Sequence, residues 1–323
     1  MLSVKQVLDK FYGEYDFKAR ILHDPIEFPH RYKRREDIEI AGFIASCFAY
    51  GKVGLFKPVI EKILSAMRGS PYNFLMEFKV KKDGRLFSGI KYRFNENKDI
   101  ICLLHIIGHL LRSHKSLENV FKSFYKKTDS DTGNALTGFI DYALKTDTAD
   151  VYPVRKKYIA RLVRKNISNE SRVGVIPFRD KSLMGFKASP ELSNGVYGKN
   201  LKPDGLLQFF PSPSKGSACK RMNLFLRWMI RQRDIDFGIW KGIPENKLVI
   251  PLDTHIAKIS KCLGFTKRKS QDWKMAVEIT DALKKLDSDD PLKYDFAMCH
   301  YGISGLCGPE FNKCDKCIFK NLT

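Results

Sequence analysis

The chain lacks any long apolar run. Its longest, over residues 101–111, is interrupted by His105 and His109 and is far short of the roughly 18 residues that a membrane span needs. No membrane partner is therefore expected. The opening stretch MLSVKQVLDKFYGEYDF carries no apolar core of a secretory signal. Internal repeats and low-complexity tracts are absent as well. Acidic residues are few beside basic ones: 36 Asp and Glu against 57 Lys and Arg, a formal net charge of +21. Such an excess describes partners rather than fold. It is the usual electrostatic footprint of nucleic-acid binding, the bland alternative being a solvated lysine-rich surface. The eight cysteines, in a chain of intracellular character, read as buried thiols or metal ligands before disulfides. The expected compartment is the cytoplasm, in association with the nucleoid.

Apolar residues recur mainly with helical period. Phe56, Val59, Ile60, Ile63, Leu64 and Met67 fall on one face, and residues 37–50 are apolar on nearly every side, as a core helix is. Residues 99–111, 117–125 and 222–230 add further helices. Two later stripes run through Ala276, Ile279, Leu283 and Leu286, and through Tyr294, Ala297, Met298 and Tyr301. The expected class is all-α, with a small β-hairpin around Asp83-Gly84 inside residues 76–99. Residues 165–216, rich in Ser, Gly, Pro, Lys and Asn, are too many for an ordinary connection and read as a functional loop or a concealed element.

Two short segments carry chemistry. In the first, KGSACKRMN, a turn at Gly216 leads into an apolar helix. Backbone N–H groups at such a helix start form an anion site. Ser217 or Ser214 would cap it, and Lys215 and Arg221 would add charge-assisted phosphate contacts. In the second, PLDTHIA, Asp253 precedes Thr254-His255 as a good N-cap.

Together these segments resemble the signature of the helix-hairpin-helix DNA glycosylases, the superfamily of endonuclease III and the 8-oxoguanine glycosylases. Counting from Gly216, Lys220 and Asn223 stand where that family's Gly-x-Gly-x-Lys-x-x-Asn places its lysine and asparagine, and Ala218 replaces the second glycine. The link from Lys220 to Asp253 is longer than in endonuclease III and more like the archaeal 8-oxoguanine glycosylases. The chain also resembles a bacterial family recognisable by KGSACKRMNLFLRWMIR, DFGIW, PLDTH and DPLKYDFA, all four of which occur here. The resemblance is specific over residues 210–320.

The resemblance implies Lys220 as a nucleophile on sugar C1′, forming a Schiff base and permitting strand cleavage. It implies Asp253 as the carboxylate that supports the attack, taking the lysine proton and then stabilising the oxocarbenium-like state. A neutral amine is needed, so the Lys220 pKa is expected to fall below its ordinary value through burial and neighbouring cations. An aspartate held too close would oppose that. It further implies double-stranded DNA with a damaged base as partner, an oxidised purine such as 8-oxoguanine being favoured. Tyr50, followed by Gly51 and Lys52, stands where the family places its duplex-intercalating side chain. For the flipped base, Phe237, Trp240 and Phe210 are the candidate stacking residues.

Cys307, Cys314 and Cys317 match the first three ligands of the [4Fe–4S] motif in endonuclease III, but the fourth would fall on Thr323. Four thiolates are the usual ligation. Three outcomes stay open: a remote group such as Cys299 or His300 completes the set, a zinc site with Cys and His ligands takes its place, or the thiols are free. The architecture implied is a monomeric, two-lobed glycosylase unit. Residues 36–254 form the central lobe, with the hairpin at about 210–230, and residues 1–35 with 255–323 form the second; DNA lies between. Two rivals remain: a monofunctional glycosylase in which Asp253 activates water, and a non-catalytic nucleic-acid-binding protein that keeps the hairpin for backbone contact.

Overall fold

Polar caps and buried stripes define the helices, and no strand forms among the described residues, 3–152 and 202–304 of the computed structural model. The longer helices are α1 (Val4–Gly13), α2 (Arg35–Phe48), α3 (Val53–Ser65), α4 (Asn97–His114), α5 (Gly133–Ala143), α6 (Lys220–Ile230), α7 (Thr254–Cys262), α8 (Trp273–Lys284) and α9 (Asp295–Ile303). α1 opens on a reciprocal cap, in which Ser3 Oγ accepts the Gln6 N–H and Gln6 Oε1 accepts the Ser3 N–H. Asp253 and Asp272 cap α7 and α8 through their side chains. No helix among the described residues is long and apolar enough to cross a membrane.

The β-hairpin expected around Asp83-Gly84 is replaced by helical turns over Val80–Asp83 and Gly84–Phe87. Asp83 folds back to accept the Lys79 N–H at 2.9 Å. Gly84 takes φ −55°, whereas a type I′ hairpin turn needs positive φ at both central residues. Phe87 is enclosed against Phe74 and Phe78, and that burial outweighs the turn preference of the Asp-Gly pair. Extended pairing here is confined to Tyr92 with Asn95.

Apolar side chains gather in two clusters. The larger takes the inner faces of α2 to α6, from Ile26 to Leu248, together with Leu292 and Phe296. The smaller joins Leu8 of α1 to Val249, Ile250 and Leu252 and to the buried faces of α7, α8 and α9. The N-terminal segment is thus divided, Leu8 lying in the smaller cluster and Ile26 and Phe28 in the larger.

A buried ion network bolts the two together. Arg227 on α6 meets Asp236 Oδ1 at 3.0 Å and Asp295 Oδ2, on α9, at 2.5 Å. One turn further on, Arg231 grips Asp290 at 2.8 Å, Asp236 at 2.9 Å and Asp234 at 2.8 Å. Tyr12 of α1 closes the network by donating to Asp234 at 2.7 Å. The strings RWMIR, DFGIW and DPLKYDFA therefore share one physical cause. Two guanidiniums removed from water need carboxylates around them, and those come from the loop after α6 and from the start of α9.

Glu39 on α2 is a second enclosed charge. It accepts the N–H groups of Leu117 and Glu118 at 2.9 Å each and the Trp240 indole N–H at 2.8 Å. Burial outweighs these donors and pushes its pKa up from 4.5 to about 7. Across that window the folded chain holds a proton that the unfolded chain has released, so this group's contribution is full below pH 4.5 and is lost as pH rises through 7. Glu39→Gln is expected to remove about 3 kcal/mol of that downward slope, read as the urea midpoint at a series of pH values. Equal slopes for the two proteins would show that Glu39 stays charged when folded.

Candidate active site

The turn before α6 is shaped by two left-handed residues. Gly216 has φ 76° and ends the short turn Pro213–Lys215, and Cys219 has φ 50° immediately before the helix. Ala218 is not among the positive-φ residues, so nothing in the backbone requires a glycine there. The turn is docked on the start of α8: Trp273 donates its N–H to the Gly216 carbonyl at 3.2 Å, and Ser217 bridges to Asp272. Ser217 Oγ accepts the Cys219 N–H at 3.2 Å. Lys215 is exposed at this turn, and Lys52 is exposed at the start of α3.

Lys220 is the first residue of α6. Its Nζ lies 3.1 Å from Asp253 Oδ2, with the lysine side chain 36% exposed and the aspartate 12%. Asp253 divides its two oxygens. Oδ1 accepts the N–H groups of His255 and Ile256 at 2.9 Å and holds the start of α7. Oδ2 takes the Lys220 ammonium and also the Cys299 thiol of α9, at 3.5 Å. The cluster sits on the seam between the two apolar clusters, because α6 belongs to the larger and α7 and α9 face the smaller. α9 crosses α7 so closely that a Cβ on Gly302 would lie 2.6 Å from His255 Cβ.

The electrostatics correct the expectation for the lysine. Burial works to lower its pKa, but Asp253, with Cys299 and Asp24 behind it, more than offsets that and raises it above 10.5. The resting group is an ammonium. Burial likewise works to raise the Asp253 carboxyl, yet the Lys220 charge and the Ile256 N–H hold it below the usual carboxylate range. The Cys299 thiol is pushed well up by burial and by the Asp253 charge, so it remains protonated.

One further carboxylate, Asp24, acts on Lys220 and has no local signal in the sequence. Asp24, whose carboxyl is raised by burial, faces His300 across 3.8 Å. His300 follows Cys299 on α9, so consecutive residues of one helix each face one of the two carboxylates.

The remaining expected site residues have internal partners. Arg221 turns inward, donating to the Cys47 carbonyl at 2.6 Å and to the Gln208 carbonyl, and its guanidinium lies 4.9 Å over the Tyr50 ring. A helix C-terminus, here that of α2, attracts a cation for the same reason that a helix start attracts an anion. Tyr50 donates to Asn95 Oδ1 at 2.5 Å and also carries Arg93 over its ring. Phe210 and Trp240 are enclosed in the larger apolar cluster. Trp240 packs on Phe121 and Phe225 and is tied to Glu39, so neither ring offers a face to a flipped base. Phe237 is partly buried against His30, ring centroids 4.4 Å apart. Cys307, Cys314 and Cys317 lie outside the described residues. Among the described residues no group of three His, Cys, Asp or Glu is placed to hold a metal ion.

A protein family described as "Protein of unknown function (DUF2400)" matches the chain over residues 24–173 and 180–304. No curated protein and no solved structure matches it.

Proposed function

For this chain, which belongs to the DUF2400 family, we propose the activity of a helix-hairpin-helix DNA glycosylase with associated lyase chemistry. One observation carries the reading: an amine and a carboxylate at the starts of two helices, one from each apolar cluster, meet at 3.1 Å with the lysine still open to solvent. A bond between a base and sugar C1′ breaks through a cationic state, and a carboxylate fixed by two backbone N–H groups is already oriented to oppose that charge. Lys220 is the group that attacks C1′. Its nitrogen forms the new bond as the base departs with the bonding electrons, and the Schiff base that follows permits β-elimination. The exposed Lys215 and the backbone at Gly216 and Ser217 are the contacts proposed for phosphate, and the excess of 57 basic over 36 acidic residues draws the duplex in. Oxidised purine is the proposed substrate class, on the long link between Lys220 and Asp253.

A second reading is favoured by the raised pKa of Lys220. In a monofunctional glycosylase the ammonium stays charged and Asp253 directs a water molecule at C1′.

Borohydride trapping on duplexes bearing 8-oxoguanine, an oxidised pyrimidine, uracil or an abasic site separates the two. The expected result is a reduced covalent adduct with wild-type protein and none with Lys220→Gln. Base release without any adduct would leave the monofunctional reading standing. Tight duplex binding with neither product would remove both.

A further inference from the structure

We propose that Phe94 is a stacking platform for a nucleobase that has lost a neighbour in the duplex, with Arg93 and Lys91 beside it for the flanking phosphates. The inference rests on the reading of the chain as a protein that acts on DNA, and it concerns a surface outside the lysine–aspartate pair.

Phe94 is 68% exposed, the most open large apolar side chain among the described residues. It stands on the turn Tyr92–Asn95, which precedes α4. Two backbone bonds close that turn: the Tyr92 N–H meets the Asn95 carbonyl at 2.9 Å, and the Asn95 N–H meets the Tyr92 carbonyl at 2.8 Å. Arg93 takes φ 51° within it, a conformation that costs a residue with a Cβ.

A ring on a loose tip would fold back onto the protein and leave the water. This turn is pinned against doing so. The fully buried Asn95 accepts the Tyr50 hydroxyl at 2.5 Å and donates to the Gly205 carbonyl at 2.5 Å. The Tyr92 hydroxyl donates to the Tyr50 carbonyl. Two glycines let the neighbouring backbone come close. A Cβ on Gly51 would lie 2.6 Å from Arg93 Nη1, and one on Gly205 would lie 2.9 Å from the Phe94 carbonyl oxygen. The backbone behind the ring is thus held from both sides while the ring projects.

Contacts also join the turn to the start of α6. The Arg221 guanidinium lies 4.9 Å over the Tyr50 ring, Arg93 lies 5.7 Å from that same ring, and Arg93 lies 5.6 Å from the Phe94 ring. Cation and ring alternate from Arg221, the neighbour of Lys220, out to solvent at Phe94. Tyr50 is the support in this column. Its ring already carries two guanidiniums and its hydroxyl is taken by Asn95.

The surrounding charge selects the occupant. Lys91, Arg93 and Lys98 are exposed on this segment, and Lys52 is exposed next to Gly51. The acidic residues here are Glu96, whose carboxylate caps α4, and Asp204, beside Gly205. A base offers a π-face to the ring and brings a phosphate on each side to the cations, so one ligand satisfies both. Bases inside an intact duplex are covered on both faces by their neighbours. The ring therefore serves a base uncovered at a lesion.

The test is equilibrium binding to two duplexes of one sequence, one intact and one bearing a tetrahydrofuran abasic analogue, which forms no Schiff base. Phe94→Ala removes no enclosed contact, so its melting temperature should match wild type. Its dissociation constant for the abasic duplex should rise by about 5- to 100-fold, the range measured for one stacked base, with less than about a twofold change on the intact duplex. Phe94→Trp should bind the abasic duplex as wild type does. Its indole emission should fall on binding by more than in wild type, whose Trp228 and Trp240 are enclosed. Arg93→Gln should weaken both duplexes alike and lower the salt dependence by about one charge. Wild-type affinity of Phe94→Ala for the abasic duplex, or an equal loss on both duplexes, would overturn the platform and leave the lysine–aspartate reading untouched. Wild-type protein that binds neither duplex would remove the DNA reading itself, and the platform with it.

Discussion

Asparagine at position 253 is expected to uncouple excision from covalent trapping. Asp and Asn are comparable N-caps, so the oxygen that accepts the His255 and Ile256 N–H groups survives the change and α7 stays in place. The charge does not survive. Base release should fall by about 100- to 1000-fold, the usual cost of removing one fixed electrostatic stabiliser of a developing charge. The lysine should respond in the other direction. Its pKa is raised because Asp253 outweighs burial. With the carboxylate gone, burial is opposed mainly by Asp24, and the pKa falls. More of the amine is then neutral at pH 7, and trapping on a pre-formed abasic site should persist or increase. The two assays run on one protein preparation decide the matter: excision at the wild-type rate would show that no carboxylate is needed at C1′.

The second large effect is on stability. Arg231→Ala should cost about 3–5 kcal/mol, because removing one partner of a buried ion network leaves the others charged and unsolvated. The carboxylates stranded are Asp290 and Asp236, whose side chains are 3% and 0% exposed, and Asp234 beside them. A loss of that size lowers the melting temperature by roughly 4–7 °C in a chain of this length. Replacing the network by apolar residues of similar volume would cost much less, since the desolvation it carries offsets most of its Coulomb gain. A melting temperature unchanged in Arg231→Ala, followed by scanning calorimetry, would mean that water reaches those carboxylates.

What the sequence reveals of this site depends on how local the signal is. Lys220 and Asp253 are legible because each belongs to a short pattern, a turn into a helix and a capping aspartate before Thr-His, and such patterns need no knowledge of the rest of the chain. Asp24 and His300 are not, because each is ordinary in its own segment and only the approach of α9 to the N-terminal turn makes them a pair. Trp240 misleads for a related reason. Its loop-like surroundings suggest exposure, but its indole N–H has a buried partner in Glu39, far off in sequence. Arg221 stands next to the key lysine and reads as a phosphate contact, although the carbonyls of Cys47 and Gln208 claim it. Most of the expected helices follow apolar period, and the misread segment around Asp83-Gly84 is where enclosure of Phe87 overrides a two-residue turn preference.

The bare Cα of Gly302 works as a shim of zero thickness. A methyl group there would strike His255 Cβ, a stiff point on the neighbouring helix rather than a side chain able to swing aside. The joint would have to open like a door on its hinge, and Cys299 and His300, one turn back on the same rod, would swing with it. Lys220 rides on α6 and is not carried by that motion. A net gain of one carbon and two hydrogens at a residue that touches no reacting atom would thus retune the distances from Cys299 and His300 to the two carboxylates they face, and the site's alignment depends on an atom that the chain leaves out.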